Sequence, residues 1–384
     1  MSEKFRYVDL FSGTGGFHIA MDDLGGECVF ASEIDKFAIE TYNANFKIDS
    51  DKDITKVNEQ CIPTHEVLCA GFPCQSFSKA GKQGGLLDTR GTLFFEVERI
   101  LRYHQTKYII LENVRNLISH DHGKTWRVIS ATLKDIGYRT TEKPLVISPH
   151  NFGIPQLRER VFILGVFDPD NREIPIEITL PRLKKKKENS IYDIIEKDVD
   201  NNCQISEYEE YILSAWDEFY SGIKEEVIGF PVWFDWFKKK ADPSFQGWKK
   251  DFIHKNNELY NNNKTFIDKW TNKYDNLYLF APTHRKFEWQ AGNQINSLWQ
   301  GVIQFRPSGV RVKVPDCFPA LVAIVQIPII GKLGRRLSVR ESARLQSFPD
   351  SFKPNSIDAK AYKQFGNAVN VDVVKILAKE LFKF

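Results

Sequence analysis

From the N-terminal end to about residue 180, short and largely apolar runs alternate with longer segments of mixed polarity. The runs are Tyr7-Val8-Asp9-Leu10-Phe11, Cys28-Val29-Phe30-Ala31, Val67-Leu68-Cys69-Ala70, Tyr108-Ile109-Ile110-Leu111 and Val161-Phe162-Ile163-Leu164. This rhythm predicts an α/β fold on a mainly parallel, doubly wound sheet. In such sheets ligands gather at the carboxyl ends of the strands, so the residues directly after each run are the ones expected to carry chemistry.

Near Pro181 the pattern changes. Arg182 and the run Lys184-Lys185-Lys186-Lys187 open a stretch rich in Lys, Asn, Trp and Tyr that continues to about Asn296, and the alternation is lost. A separate module is predicted there, with Tyr260-Asn261-Asn262-Asn263-Lys264 a candidate for a poorly ordered loop. Beyond Gly309 the pattern is again that of an ordered chain. Val373, Val374, Ile376, Leu377, Leu381 and Phe382 fall at helical spacing, so an amphipathic helix over Val371 to Phe384 is expected to pack back on the first domain.

Composition narrows the classes. A chain of 384 residues with 42% hydrophobic content can bury a sizeable core, and its length suggests two or three globular domains. The formal net charge is only +3, so affinity for a polyanion must come from local clusters of Lys and Arg. The six cysteines form no CxxC pair and no regular spacing, which argues against a zinc site and a disulfide framework and predicts a reduced, cytoplasmic setting without a bound metal. The opening residues carry no apolar signal core, and no apolar stretch is long enough to span a bilayer, so neither secretion nor membrane insertion is expected.

The first run leads into Phe11-Ser12-Gly13-Thr14-Gly15-Gly16-Phe17, where glycines can bring the backbone close to a bound molecule before a helix begins. Alone, such a turn reads equally well without a ligand. Glu33 follows Gly13 by 20 residues, at the end of the second run, where an acidic side chain accepts hydrogen bonds from ribose hydroxyls. Together they fit a nucleoside-containing cofactor. Asp53, beside Ile54, can accept from an adenine amino group or simply be solvated.

The third run ends in Gly71-Phe72-Pro73-Cys74-Gln75-Ser76-Phe77-Ser78. Isolated cysteines are usually inert packing residues. Here the flanking glycine and proline, with Gly81, Gly84 and Gly85 beyond, favour a nucleophile on a loop over a core thiol. Glu112-Asn113-Val114 ends the fourth run and would bring a carboxyl group beside that thiol, making Glu112 a general-acid candidate. Before the fifth run, alternation would point Gln156, Arg158 and Arg160 to one face, as a binding edge or as a solvated one.

At this point the chain resembles the bacterial cytosine-5 DNA methyltransferases of type II restriction-modification systems over most of its length outside the variable middle. Asp9 to Phe17 is similar to the cofactor loop, Gly71 to Ser78 to the catalytic loop, and Asp88 to Glu96 to the helix start after it. Glu112-Asn113-Val114, Asn151 to Arg160, Arg336 to Gln346 and Gln364-Phe365-Gly366-Asn367-Ala368-Val369 follow in family order. The resemblance implies a Rossmann-like, S-adenosylmethionine-dependent methyltransferase fold. It also implies a catalytic domain at 1–182, a target-recognition domain at 185–345, and a segment at 350–384 returning to the first. Cys74 would attack carbon 6 of a flipped cytosine, Glu112 would protonate ring nitrogen 3, and Arg158 and Arg160 would hold the cytosine O2 and order the loop. Phe11, Gly13, Gly15, Gly16, Glu33, Ile34, Asp53, Ile54, Pro73, Asn367, Ala368 and Val369 would surround the cofactor. Ala368 departs from the serine common there, although backbone contacts should survive.

Double-stranded DNA is the implied partner, with Gln75, Ser78, Gln156, Arg306, Arg311 and Lys313 as candidate contacts and a cognate restriction endonuclease as a functional counterpart. Arg306-Pro307-Ser308-Gly309-Val310-Arg311 is a better groove candidate than the lysine run, and Trp233, Trp236 and Trp248 read more naturally as domain core than as DNA wedges. The chain is expected to act as a stand-alone monomer. An RNA methyltransferase on the same scaffold is the nearest rival. Its pattern has Pro-Pro-Cys and a Cys-Phe-Thr signature, where this chain has Phe72-Pro73-Cys74 and a long middle.

Overall fold

The computed structural model describes residues 4–73, 93–181, 190–199, 201–321 and 326–384. The chain divides into two compact units, the first comprising Met1–Asn189, Pro319–Val325 and Val339–Phe384 and the second Ser190–Phe318 and Gln326–Ser338. The expected boundary of the variable module differs at its far end, because Val339–Leu345 groups with the first unit. Asn370 Nδ2 donates to Leu345 O (3.0 Å) and Gln346 Nε2 to Gln156 Oε1 (3.1 Å), which anchors that stretch there.

In the first unit, strands β1 (Phe5–Leu10), β2 (Gly26–Ser32), β3 (Val67–Ala70) and β4 (Tyr108–Val114) lie in the order β2-β1-β3-β4, all parallel. Helices α1 (Gly16–Asp22), α2 (Lys36–Asn45), α3 (Leu93–His104) and α4 (Lys124–Ile136) occupy the connections. The other side is antiparallel: β5 (Tyr138–Thr140) and β6 (Leu145–Ile147) pair with β8 (Arg160–Phe167), which runs against β4. Its apolar run, Val161–Leu164, thus enters the sheet in the opposite sense to the first four.

Burial explains the runs. β3 is buried at every position and β1 from Tyr7 onward, as strands covered by helices on both faces must be. The closing helix, Val371–Leu381, buries Val371, Val373, Val374, Leu377, Ala378 and Leu381 and packs on α1 and β8. Just past it, Phe382 meets Phe5 edge-on at 5.2 Å and Tyr108 at 5.0 Å, tying the end of the chain to the first and fourth strands.

The second unit has its own core. Trp216 stacks on Phe287 at 5.0 Å and Tyr220 on Trp289 at 3.6 Å, with Phe219 and Trp270 against them. The indole N–H groups of Trp216 and Trp270 donate to His284 O and Ala215 O, so burying the rings leaves no orphaned donor. Trp236 is buried and Trp233 lies against it, while Trp248 is exposed. The asparagine-rich stretch is not a loop. Helices Gly247–Asn262 and Lys264–Lys273 abut at Asn263, whose buried side chain donates to Glu225 and Leu259 O and accepts from Lys224 N.

Candidate active site

The carboxyl ends of β1 to β4 open on a cavity of about 590 Å³ whose lining residues all belong to the first unit. Phe11, Gly13, Gly16, Glu33, Ile34, Asp53, Ile54, Pro73, Glu112, Arg160, Asn367, Ala368 and Val369 all face it. These residues, scattered over most of the sequence, meet because Phe11, Glu33 and Pro73 lie just beyond β1, β2 and β3, Glu112 lies near the end of β4, Arg160 opens β8, and Asn367 and Ala368 end and cap a returning helix.

The turn after β1 is held in left-handed conformations, with φ of 56° at Phe11, 55° at Gly13 and 89° at Gly15. Glycine adopts this region freely, while at Phe11 it is a strained conformation that the surrounding structure maintains. Gly13 N donates to Glu33 Oε2 (2.8 Å), and Ile34 N and Asp35 N donate to Glu33 Oε1 (2.8 and 2.9 Å). Glu33 therefore joins the first turn to the start of α2, and a carboxylate with about four acceptor positions keeps room for a further donor. Gly15 departs from the expectation of a cofactor contact: unlike Gly13 and Gly16 it is not part of the cavity lining, and a Cβ there would lie 2.2 Å from the Phe46 ring. A Cβ on Gly16 would come within 2.9 Å of Val369 O. Both positions require glycine for packing.

Asp53 accepts from Thr55 N and Oγ1, and its other oxygen stands 3.1 Å from Lys56 Nζ. These contacts, Thr55 foremost, hold its carboxyl below the usual range. Ile34 stands 72% exposed at the lip, a large aliphatic side chain presented to whatever enters.

On the β4 side, Glu112 is buried, and its carboxyl is pushed upward by burial against the opposing pull of Arg160 and Arg158. Register explains the pairing. Glu112 lies opposite Phe162 and Val114 opposite Arg160, so Glu112 and Arg160 are diagonal neighbours on one face, with Arg160 Nε 3.2 Å from Glu112 Oε1. An ideal Cβ on Gly71 would lie 3.7 Å from Glu112 Oε2, which sets the carboxyl against the loop leaving β3. Asn113 Nδ2 donates to Phe72 O (2.8 Å) and fixes that loop from below. Pro73 lines the cavity; Cys74, Gln75 and Ser78 lie outside the described residues.

Arg158 and Gln156 do not join Arg160. The strand is interrupted, with Gln156–Leu157 a two-residue strand, β7, and β8 beginning only at Arg160, yet alternation persists: Gln156 and Arg158 are buried and Leu157 and Glu159 exposed, but of the three inward residues only Arg160 lines the cavity. Gln156 is fully buried against Gln346, which removes it from the candidate DNA contacts. Arg158 is buried behind the wall, on main-chain carbonyls, and not at a base. The sequence reading missed Lys360, Lys363 and Gln364, which line the cavity from the helix Asp358–Asn367; their helical spacing ahead of Asn367 was the available signal.

Among known proteins, the profile of the family described as C-5 cytosine-specific DNA methylase matches residues 5–383. The chain belongs to that family. The methylase is 33% identical to the Type II methyltransferase M.AluI of Cellulosimicrobium cellulans, over 98% of this chain and 92% of that protein. It is 31% identical to M.HhaI of Haemophilus parahaemolyticus, over 97% and 93%, and 34% identical to M.HpaII of Haemophilus parainfluenzae, over 100% and 90%. A putative DNA modification methyltransferase from an Escherichia coli prophage shares the fold with a TM-score of 0.59 at 19% identity over 98% of each chain. The S. pombe Dnmt2 methyltransferase does so with 0.53 at 18% over 99% of each. The methylase is thus a DNA (cytosine-5)-methyltransferase on the α/β fold read from its sequence. Among the described residues no helix is long and apolar enough to cross a membrane, and no group of three or more His, Cys, Asp or Glu could hold a metal ion.

In the second unit of the methylase, Arg311 does not present its charge outward. It sits opposite Glu288 on the neighbouring strand, and its Nε and Nη2 both lie 2.6 Å from Glu288 Oε2. Arg311→Ala should cost about 3 kcal/mol by leaving a buried carboxylate alone. The check is thermal unfolding, where the Glu288→Gln/Arg311→Ala double variant should regain part of the loss. Arg306 and Lys313 are half-buried and form no ion pair with another described residue, so they stay as candidates.

Proposed function

We propose that the cavity binds S-adenosylmethionine and that Cys74, Glu112 and Arg160 act on a cytosine turned out of duplex DNA. The observation that carries this reading is the sharing of one cavity wall by Pro73, the residue before Cys74, and the buried Glu112–Arg160 pair. The cofactor fits the residues present. Ile34 and the Phe11 ring offer apolar surface to a flat base, Glu33 has acceptor capacity left for ribose hydroxyls, and Asp53 can accept from an adenine amino group. Bound there, the cofactor supplies a methyl group made electrophilic by its sulfonium.

The protein's part is to make carbon 5 of cytosine nucleophilic. The Cys74 thiolate forms a bond to carbon 6, and the displaced ring electrons are captured when Glu112 gives its proton to nitrogen 3. The resulting enamine is electron-rich at carbon 5. Arg160, held by Glu112, faces the same cavity and would stabilise charge at the cytosine O2. After methylation, water takes the proton from carbon 5, the 5,6 double bond re-forms as the bond from carbon 6 to sulfur breaks and the thiolate leaves, and nitrogen 3 returns its proton to the Glu112 carboxylate. Turning the base out of the stack is the general solution of enzymes that do chemistry on a paired base, methyltransferases among them.

The second unit supplies target recognition in this reading, with Arg306 and Lys313 as groups for phosphate or base edges. Relatives bearing the name Type II methyltransferase support a role in protecting host DNA from a cognate restriction endonuclease, and in this reading the enzyme works as a monomer in the cytoplasm. Purified enzyme should move labelled methyl from S-adenosylmethionine into duplex DNA and not into tRNA. Bisulfite sequencing of DNA from expressing cells should show one short methylated context. Incorporation into tRNA alone would overturn the substrate assignment.

A further inference from the structure

Arg158 lines no part of the cavity, yet only 2% of its surface is exposed. Its guanidinium donates from Nη1 to Gly366 O (2.8 Å) and Leu321 O (3.1 Å) and from Nη2 to Ala368 O (2.9 Å). Among the described residues it makes no ion pair, so a fully enclosed cation is held by main-chain carbonyls. Such burial is costly unless something offsets it. The offset lies in where those carbonyls are. Gly366 is in the last turn of the helix Asp358–Asn367 and Ala368 is its C-terminal cap, where carbonyls lack partners within the helix and the helix dipole favours a cation.

The two gripped residues flank Asn367, and Gly366, Asn367, Ala368 and Val369 all face the cavity. From the other side Val369 is packed so closely against Gly16 that even a methyl group on that glycine would meet Val369 O within 2.9 Å. The wall segment is therefore caught between α1 and the Arg158 fork.

We infer that Arg158 is a positioning residue for the cofactor, fixing the backbone of Gly366–Val369 in the wall that S-adenosylmethionine contacts. This rests on the reading of the cavity as the cofactor site. It assigns Arg158 to cofactor affinity, and leaves the base to Arg160, two residues on. A lysine cannot substitute, because a compact ammonium lacks the planar fork that reaches two carbonyls on either side of one residue.

The test compares wild type, Arg158→Lys and Arg158→Met for binding of S-adenosylhomocysteine without DNA, by calorimetry well below the unfolding midpoint, and for kcat at saturating substrates. Both variants should bind S-adenosylhomocysteine about tenfold more weakly or worse, with kcat at saturation for the lysine variant within about threefold of wild type. Methionine fills the space without a buried charge, so it gives the answer if the lysine variant does not fold. Unchanged affinity in a folded variant overturns the inference, as does a collapse of kcat with affinity intact, which would put Arg158 on the base side. If the wild type itself binds no S-adenosylhomocysteine, the reading of the cavity fails first.

Discussion

Replacing Cys74 with serine should stop methyl transfer, with kcat lower by roughly 10⁴-fold or more, because a neutral hydroxyl is a far weaker nucleophile than a thiolate. Binding should survive. The backbone before the substitution is held independently of the sulfur, by the Asn113 bond to Phe72 O and by Pro73 in the cavity wall. DNA and S-adenosylhomocysteine affinities are therefore expected to stay within about threefold of wild type, a split that separates lost chemistry from lost uniform binding. Single-turnover transfer of labelled methyl, set beside a mobility-shift titration, measures both. Turnover of the serine variant at the wild-type rate would remove Cys74 from the mechanism.

The second large effect concerns Glu112. Changing it to glutamine should lower kcat by about 10² to 10⁴, the usual range for a positioned proton donor. The pH profile should change shape as well. Burial raises the Glu112 carboxyl, with Arg160 and Arg158 drawing it back, so the protonated acid persists to higher pH than an exposed glutamate. The wild-type rate should therefore fall as pH climbs through that raised value, and the glutamine variant should lack this fall. Stability follows the same sign. The folded protein holds the proton more tightly than the unfolded chain, so this contribution is complete below the unfolded value of about 4.3 and disappears as pH rises through the folded one. Wild type should lose thermal stability relative to Glu112→Gln across that window. Parallel curves would show that the carboxyl is not raised.

Much of the first unit was legible because strand order concentrates chemistry at strand ends. Glu33 and Glu112 each end an apolar run, Glu33 also 20 residues past Gly13, and both face the same cavity. What escaped had physical reasons. Gln156, Arg158 and Arg160 do turn to one side, with Leu157 and Glu159 exposed between them, but a shared side does not place them in one cavity: the strand is interrupted between Leu157 and Arg160, and only Arg160 lines the site. Gly15 looked like a ligand contact and is instead dictated by the Phe46 ring, which reaches it from the far end of α2. Arg311 looked free because its partner, Glu288, is 23 residues earlier and meets it only through sheet register. The asparagines near Tyr260 resembled a loop because asparagine is a weak helix former, yet Asn263 has its buried amide satisfied by three partners.

The cavity wall joins residues near position 11 to residues near position 369, and the final helix that steadies the latter closes against the first strand. On a ribosome, where earlier segments emerge and organise first, this pocket cannot close before the stretch around Val369 has emerged. On the proposed reading, a polypeptide released prematurely would carry Cys74 and Glu112 but only part of the cavity assigned to S-adenosylmethionine. Abortive translation products would then be chemically silent toward the genome they are bound to mark.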